Sequence, residues 1–304
     1  MHHVTRLDWS FVDSPLPPSA TSAGLARSKV IGPDQGAVHT DLVAVALHPD
    51  GWLAPHVHSF EEVIYLLEGE LQVEIGDAAH HLVAGDYALF PTAVRHGLGG
   101  AGGQPARFLS LASPQRLAPD AGRKDTFFEP APAGYRDDLA MRARRPAFGS
   151  PTLRHVGHYD GTGPQLETLR IQDAARGRAS AGRDTALVVY SGISVKMLVD
   201  ALFGADHTTM FTVDYEVGGA AQAHDHPFEE TYVFLAGEIT GELDGQRYTF
   251  HAGDVAFAPT GCVHGFWNEG SERVRWIETQ APQPPTRHSY RWIRDWERYE
   301  EEHR

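Results

Sequence analysis

The chain has 304 residues, of which 41% are hydrophobic, a composition typical of a folded globular protein with room for two domains. Its 40 acidic residues outnumber its 26 basic ones, and the net charge of −14 argues against nucleic acid or an anionic membrane as a partner. With one cysteine, no intrachain disulfide can form. The first ten residues lack the apolar run of a secretory leader, and no apolar run is long enough to span a membrane, so a cytoplasmic location is expected.

The elements predicted in chain order are almost all short strands. Residues 1–35, rich in Pro, Ser, Gly and Ala, are predicted to form an arm or a packed extension. Short apolar runs separated by Gly, Asp and Pro then predict a first antiparallel barrel or sandwich over residues 36–115. Its predicted strands are Asp41–Leu47, Val63–Leu67, Leu71–Ile75, Tyr87–Phe90 and Arg107–Leu111.

The second half of the chain repeats this pattern. Residues 116–150 contain several Pro-rich stretches and are predicted to connect the two barrels, the second of which covers residues 151–285. Its predicted strands are Met210–Tyr215, Thr231–Leu235, Ile239–Leu243, Arg247–His251, Val255–Ala258 and Val274–Thr279, with an extra strand within Leu187–Leu202. A short amphipathic helix is predicted over residues 286–304, where aromatic residues recur at helical spacing after Trp292.

Seven positions recur in the two halves at one constant offset of 168 residues. Four of them are metal-binding residue types: His56, His58, Glu62 and His96 return as His224, His226, Glu230 and His264. The other three are Gly69, Gly85 and Pro91, which return as Gly237, Gly253 and Pro259. A repeat that keeps its register without an insertion indicates two copies of one structural unit. The imidazoles and carboxylates among the repeated positions indicate that this unit surrounds a site.

The spacing of the repeated residues predicts how they meet. His56 and His58 are two positions apart, so on a strand they share a face about 6.6 Å apart and can converge on one ion. Pro227 interrupts the equivalent stretch in the second half, which predicts a bend and places the glutamate at the start of the next strand. His96 and His264 must then arrive from a separate strand.

Three neutral imidazoles and one carboxylate form a donor set that suits a divalent transition metal. We predict one ion per barrel, Fe, Mn or Ni, with Zn or Co as alternatives. Four protein ligands leave coordination positions open, which is typical of a catalytic metal, and Glu62 and Glu230 are therefore also candidate catalytic bases. The alternative, structural histidines that coincide in both halves, would leave buried imidazoles and a carboxylate poorly paired.

Two pairs of segments carry a family resemblance. "HVHSFEEVIYLLEG" with "GDYALFPTAVRHG", and "HDHPFEETYVFLAG" with "GDVAFAPTGCVHGFWN", resemble the two motifs of the cupin superfamily. The first copy departs at Ala93, where the pattern has a glycine, and lacks a counterpart of Asn268; Ala93 is tolerated if the turn there needs no positive φ. The resemblance implies a bicupin: an all-β fold of two tandem cupin-type barrels (double-stranded β-helix or jelly-roll), each binding a metal near one mouth.

Arg107 and Arg275 obey the same offset and lie on apolar strands. Inside a barrel they would clamp a substrate carboxylate; the alternative, outward-facing arginines paired with acidic residues, is favoured by the 40 acids of the chain. Resemblance to bicupins that act on flavonols, hydroxylated aromatic acids and diketones favours a metal-dependent dioxygenase with a small oxygen-rich substrate. The alternatives are a redox-neutral decarboxylase, isomerase or ureidoglycine-aminohydrolase-like hydrolase, and a non-catalytic small-molecule-binding cupin. The sequence is also compatible with a homo-oligomer.

Overall fold

The computed structural model describes residues 1–118, 121–148, 150, 153–159, 190–283 and 291–292. In the first half the strands are β1 (His3–Arg6), β2 (Ser22–Ile31), β3 (Asp41–His58), β4 (Glu61–Glu68), β5 (Glu70–Ile75), β6 (Ala78–Val83), β7 (Asp86–Phe90), β8 (His96–Ala101), β9 (Ala106–Ser113) and β10 (Thr126–Phe128). In the second half they are β11 (Val156–His158), β12 (Tyr190–Val199), β13 (Thr209–Asp225), β14 (Glu229–Ala236), β15 (Glu238–Leu243), β16 (Gln246–His251), β17 (Asp254–Ala258), β18 (His264–Trp267), β19 (Val274–Ala281) and β20 (Arg291–Trp292). A short helix, α1 (Tyr135–Arg142), and a 3-10 turn (Pro33–Gln35) complete the described elements.

The strands form two curled antiparallel sheets with the same topology. One follows the order β11-β7-β4-β9-β3-β8-β5-β6 and the other the order β1-β17-β14-β19-β13-β18-β15-β16. Strands in the same place of the two orders are counterparts at the 168-residue offset from β7 and β17 onward. The predicted all-β fold of two tandem cupin-type barrels is confirmed.

Successive side chains along each strand point to opposite faces of the sheet, so one set lines the interior of the barrel and the other faces away from it. The interior of the first barrel is mainly aliphatic and includes Val45, Ile64 and Leu71. The interior of the second is mainly aromatic; Tyr232 and Trp276 are almost completely buried in it. Burial of these side chains is the main source of stability for each barrel.

The two barrels exchange their leading strands. β1 pairs with β17 of the second barrel, so that Arg6 lies opposite Asp254, and β11 pairs with β7 of the first, so that His158 lies opposite Asp86. The residue after each strand continues the pairing: the Leu7 amide donates to the Gly253 carbonyl at 2.8 Å, and the Tyr159 amide donates to the Gly85 carbonyl at the same distance. The predicted N-terminal arm is therefore in part a strand of the opposite barrel.

Two buried carboxylates join the barrels in the same reciprocal way. Glu229 accepts hydrogen bonds from the amides of Val38, His39 and Thr40 at 2.7, 2.9 and 3.2 Å. Its counterpart Glu61 accepts from the amides of residues 206–208 of the second half, the shortest at 2.6 Å. Each carboxylate satisfies backbone donors that would otherwise lose their partners at the interface.

The remaining predicted segments have different outcomes. The strand predicted within Leu187–Leu202 is β12 as far as the structure describes it, and residues 187–189 lie outside the described part. The helix predicted over 286–304 also lies outside it, except that Arg291 and Trp292 form β20, which pairs with β13 at His224 and Asp225. Residues 116–150 supply β10, paired with β3, and α1. Among the described residues, no helix is both long and apolar enough to cross a membrane.

Candidate metal centres

Pairing between strands brings the histidines of each barrel together. His56 and His58 end β3, and a register shift after Leu53 sets His56 directly opposite His96 on β8. The same shift in the second barrel sets His224 opposite His264. Cross-strand partners lie within reach of each other, and the ring centroids of these two pairs are 4.1 and 4.3 Å apart.

Each barrel therefore contains a compact triad of imidazoles. In the triad of His56, His58 and His96, one ring nitrogen from each residue lies within 4.8 Å of the others, and the same holds for His224, His226 and His264. None of the six residues is more than 5% exposed, so the triads lie inside the barrels and not on their surfaces.

Backbone carbonyls determine which nitrogen of each ring faces the centre. The Nδ1 atoms of His56, His58 and His96 lie 2.8, 2.6 and 2.9 Å from the carbonyl oxygens of Ala54, Phe60 and Val94. In the second barrel the Nδ1 atoms of His224, His226 and His264 make the equivalent contacts with the carbonyls of Gln222, Phe228 and Cys262 at 2.8, 3.0 and 3.0 Å. A carbonyl only accepts, so each Nδ1 carries a proton, and each ring turns its Nε2 atom inward.

A glutamate completes each set of donors. Glu62 Oε2 lies 3.3 Å from His58 Nε2 and 3.9 Å from His96 Nε2. Glu230 Oε2 lies 2.7 Å from His226 Nε2 and 3.3 Å from His264 Nε2. The structure thus brings together all eight residues predicted as ligands, four in each barrel, with each glutamate second in its strand as the spacing predicted.

Burial and neighbouring charges shift the pKa values of these groups in different directions. Burial, with the nearby imidazoles, lowers the pKa of His96 and of His224 to about 3, so both rings are neutral at physiological pH. Burial raises the pKa of Glu62, but Arg116 and His58 lower it by more, and the net result is a pKa well below the usual range. Burial raises the pKa of Glu230 as well, but His226 and His264 together lower it by more, and the net result is a pKa well below the usual range. Glu230 in turn raises the pKa of His226.

This donor set fits a divalent transition metal. The Nε2 atoms of His58 and His96 are buried and have no hydrogen-bond partner, only the Glu62 carboxylate nearby. Buried imidazole lone pairs without a donor are costly unless an ion binds them. Neutral imidazoles anchored at Nδ1 and one ionised carboxylate are the ligands that Fe(II), Mn(II), Ni(II), Co(II) and Zn(II) accept.

The two centres differ in their access to solvent. The side chains of Glu62 and Arg116 are 15% and 19% exposed, whereas that of Glu230 is 2% exposed. The ring of Phe128 stacks near His56 with centroids 4.8 Å apart and is itself 41% exposed, so the rim of the first centre includes an aromatic residue at the surface. The second centre is enclosed by Tyr232, which donates a short hydrogen bond to Glu230, and by neighbouring aromatic rings.

Sequence reasoning missed two charged residues beside these centres. Arg116 contacts Glu62 from the connecting segment, and nothing in the local sequence indicates that its side chain returns to the barrel. Glu278 is buried in the second barrel, and burial together with Glu230 raises its pKa well above the usual range. Its place in "VRWIETQ", two residues from the buried Trp276, is a signal that strand alternation could have detected.

The two arginines proposed as substrate clamps form ion pairs with acidic residues. Arg107 pairs with Glu68 at 3.2 Å, and Arg275 pairs with Asp214 at 2.8 Å. On β9 the side chain that reaches Glu62 is Ser110, so Arg107, three positions away, faces the other side of the sheet. Both arginines form ion pairs with acidic residues, as the alternative has it, but the pair of Arg275 is largely buried, with Asp214 only 3% exposed. A role of either arginine in substrate binding stays a prediction.

Comparison with known proteins places this architecture. A cupin-domain family model matches residues 43–112 and 211–279. Protein SchB of Streptomyces halstedii is 30% identical over 122 residues, which cover 39% of this chain and 88% of that protein. The tetracenomycin polyketide synthase protein TcmJ of Streptomyces glaucescens is 33% identical over 122 residues, covering 40% of this chain and 81% of that protein.

This chain is a bicupin. Salicylate 1,2-dioxygenase from Pseudoaminobacter salicylatoxidans superimposes with a TM-score of 0.67 at 14% identity, over 92% of this chain and 82% of that one. Oxalate decarboxylase from Lactobacillus farciminis superimposes with a TM-score of 0.57 at 18% identity, over 95% and 88% of the two chains. At these identities the two enzymes share the fold of the bicupin, and the reaction has to be argued from its site.

Proposed function

We propose that this bicupin is a metal-dependent enzyme acting on a small, oxygen-rich organic molecule, with dioxygenation as its leading reaction. The observation that carries the proposal is the convergence of three Nδ1-anchored imidazoles and one ionised carboxylate in each barrel. Bound there, Fe, Mn or Ni would supply Lewis acidity and one-electron chemistry; Zn or Co is the alternative for chemistry without oxidation.

The first barrel is the proposed reaction site. Its glutamate and the adjacent Arg116 are partly exposed, so a substrate has a route to the centre, whereas Glu230 is enclosed. Phe60 and Phe90 stack on His58 and His96 with centroid distances of 3.9 and 4.2 Å. These rings hold the imidazoles in orientation and exclude water from their far sides.

The glutamates are proposed first as ligands and only then as bases. A general base works best when its pKa lies near the working pH, and the pKa of both Glu62 and Glu230 lies well below even the usual carboxyl range. A carboxylate that stays ionised in a buried site is suited to binding a cation. Proton transfer at Glu62 Oε2 would require a substrate hydroxyl whose own acidity is raised at the centre.

A redox-neutral reaction is the second candidate, and the curated relatives favour it. TcmJ is described as a polyketide synthase protein, and polyketide chains contain β-dicarbonyl groups that chelate a metal through two oxygens. A Lewis acid at the first centre would activate such a group for ring closure, isomerisation or loss of carboxylate without consuming an oxidant. The fold shared with an oxalate decarboxylase is compatible with the same class.

Metal loading and oxygen uptake distinguish the two candidates. The protein is stripped of metal, reloaded separately with Fe(II), Mn(II), Ni(II) or Zn(II), and supplied with salicylate, gentisate, a flavonol, acetylacetone or oxalate. Stoichiometric O2 consumption with a redox-active metal supports the dioxygenase, and turnover without O2, also with Zn(II), supports the redox-neutral enzyme. Metal retention without turnover of these or of diketide and polyketide substrates would instead indicate a binding protein.

We also propose which partners this bicupin has and where it is located. A small-molecule substrate follows from buried centres within narrow barrels, and the net charge of −14 disfavours nucleic acid. We also propose a cytoplasmic location and assembly into a homo-oligomer. Fractionation of the source cells and light scattering of the purified protein test these two points.

A further inference from the structure

The two ligand glutamates are held by chemically different partners. In the first barrel, Glu62 Oε1 accepts a 2.8 Å hydrogen bond from Arg116 Nη2 and a short one from the Ser110 hydroxyl. In the second, Glu230 Oε1 accepts from the Gln280 amide at 2.6 Å, and Oε2 accepts from the Tyr232 hydroxyl. Arg116, a permanent cation, therefore holds the first glutamate, whereas an amide and a phenol donate to the second.

Arg116 is itself firmly anchored. Asp41, whose side chain is fully buried, pairs with Arg116 Nη1 and also accepts its backbone amide at 3.0 Å. The guanidinium lies 5.3 Å from the centroid of the Phe60 ring, on which His58 stacks with an interplanar angle of 13°. Arg116 thus contacts one proposed ligand directly, the carboxylate of Glu62, and also the ring on which a second proposed ligand, His58, stacks.

The second barrel stabilises this anchor. Asp41 directly follows the loop residues Val38, His39 and Thr40, whose amides donate to Glu229. Glu229 in turn precedes Glu230 in β14. The position of Arg116 consequently depends on contacts from both barrels, which is more support than a surface ion pair receives.

We infer that Arg116 is a positioning residue that commits Glu62 to binding the metal through a single oxygen. This inference rests on the proposed metal site. Because Arg116 and Ser110 occupy Oε1, only Oε2 faces His58 and His96. One carboxylate oxygen and three imidazoles leave two positions open on a six-coordinate ion, enough for a substrate that chelates through two oxygens.

Loss of Arg116 has a defined consequence. Without it, Oε1 is free to rotate toward the ion, the carboxylate can bind through both oxygens, and a position needed by the substrate is filled. Lysine at position 116 keeps the charge but cannot contact Asp41, Ser110 and Glu62 at once, because it lacks the planar fork. The spectrum and the tropolone affinity of Arg116→Lys should therefore lie between those of the parent protein and those of Arg116→Gln.

The test uses full-length protein carrying His264→Ala, which restricts Co(II) binding to the first barrel. Arg116→Gln and Arg116→Lys are compared with Arg27→Gln, which removes a charge from an exposed position on β2. Three quantities are measured: Co(II) affinity by competition titration, the visible spectrum of bound Co(II), and the affinity of the Co(II) protein for tropolone, a bidentate chelator. We expect Arg116→Gln to bind Co(II) at least as tightly as the parent, because the carboxylate gains a second bond to the ion and a neighbouring cation is removed. The variant should shift the spectrum and weaken tropolone binding at saturating Co(II) by about 10–100-fold. Arg27→Gln should change none of them.

Each outcome decides one question. Wild-type affinity, spectrum and tropolone binding in Arg116→Gln would overturn the inference and leave the metal site standing. Absence of Co(II) binding in the His264→Ala parent would instead overturn the proposed function. If Arg116→Gln lacks a cooperative thermal transition, Arg116→Lys decides: a smaller spectral shift in the same direction supports the positioning role, and an unchanged spectrum refutes it.

Discussion

The reciprocal contact made by Glu229 can be tested by replacing it with alanine. The carboxylate is 2% exposed and accepts three amides of the opposite barrel, from Val38, His39 and Thr40. Val38 is 65% exposed, so water can replace the acceptor there, whereas Thr40 is 2% exposed and its amide would stay unsatisfied. With 1–3 kcal/mol for the one buried donor left without a partner and less for the two donors at exposed residues, Glu229→Ala should lower the free energy of unfolding by about 2–4 kcal/mol.

Urea titration followed by both tryptophan fluorescence and far-UV circular dichroism gives this free energy. Glu229→Gln keeps one acceptor oxygen and should lose about 1–2 kcal/mol, since an amide oxygen forms weaker bonds than a carboxylate. Glu216, which is 47% exposed and paired with Arg273, provides the control; Glu216→Ala should change stability by no more than about 0.5 kcal/mol. A loss below about 0.5 kcal/mol in Glu229→Ala would refute the view that this carboxylate holds the barrels together.

Three further predictions concern the metal centres and the adjacent turns. Wild-type protein should bind two equivalents of Ni(II) or Zn(II), and His96→Ala or His264→Ala should each bind one, as measured by elemental analysis after gel filtration; two equivalents in either variant would contradict the assigned ligands. Ala93 has a φ of 61° and its counterpart Gly261 a φ of 75°, a region that glycine adopts more easily than alanine. Ala93→Gly should therefore stabilise the protein and Gly261→Ala should destabilise it, each by about 1 kcal/mol in urea titration. Changes of the opposite sign would refute this. The pKa of His96 falls from 6.5 to about 3 on folding, so its contribution to the stability of the metal-free protein is greatest above pH 6.5. Between pH 7 and pH 5 the unfolded chain takes up a proton that the folded chain does not. The free energy of unfolding should therefore fall by about 2 kcal/mol over this range from this group. A constant urea midpoint over that range would contradict it.

The turn at Ala93 shows a limit of pattern reading. An alanine in place of the family's glycine suggested a turn without positive φ, yet the backbone keeps the left-handed conformation with alanine in it. The amide of Ala93 donates to the His58 carbonyl at 2.9 Å, as that of Gly261 donates to the His226 carbonyl at 3.0 Å. The requirement to close this turn beside the ligand strand outweighs the local preference of one residue.

The sequence predicts that His96 lies on a separate strand but gives that strand no bounds, because its composition is not typical of a strand. β8 reads HGLGGA and has no β-branched residue, yet it supplies His96 and sits between β3 and β5. Its glycines lie where the fold leaves no room for a side chain. A Cβ at Gly100 would lie 1.8 Å from the His48 carbonyl oxygen, and one at Gly97 would lie 2.2 Å from the Tyr135 hydroxyl. Close approach of neighbouring backbone is invisible in a single sequence.

The sequence alone shows the repeat: two copies of one β unit, with eight predicted metal ligands at matching positions, four in each copy. These properties are readable because alternation, turn residues and ligand spacing are local, with a period of a few residues. Only the tertiary structure decided that Arg116 returns to Glu62, that Glu278 lies beside Glu230, and that the leading strands cross to the opposite barrel. Those contacts join residues 48 to 254 positions apart, and they depend on the packing of the two barrels, which no short sequence window contains.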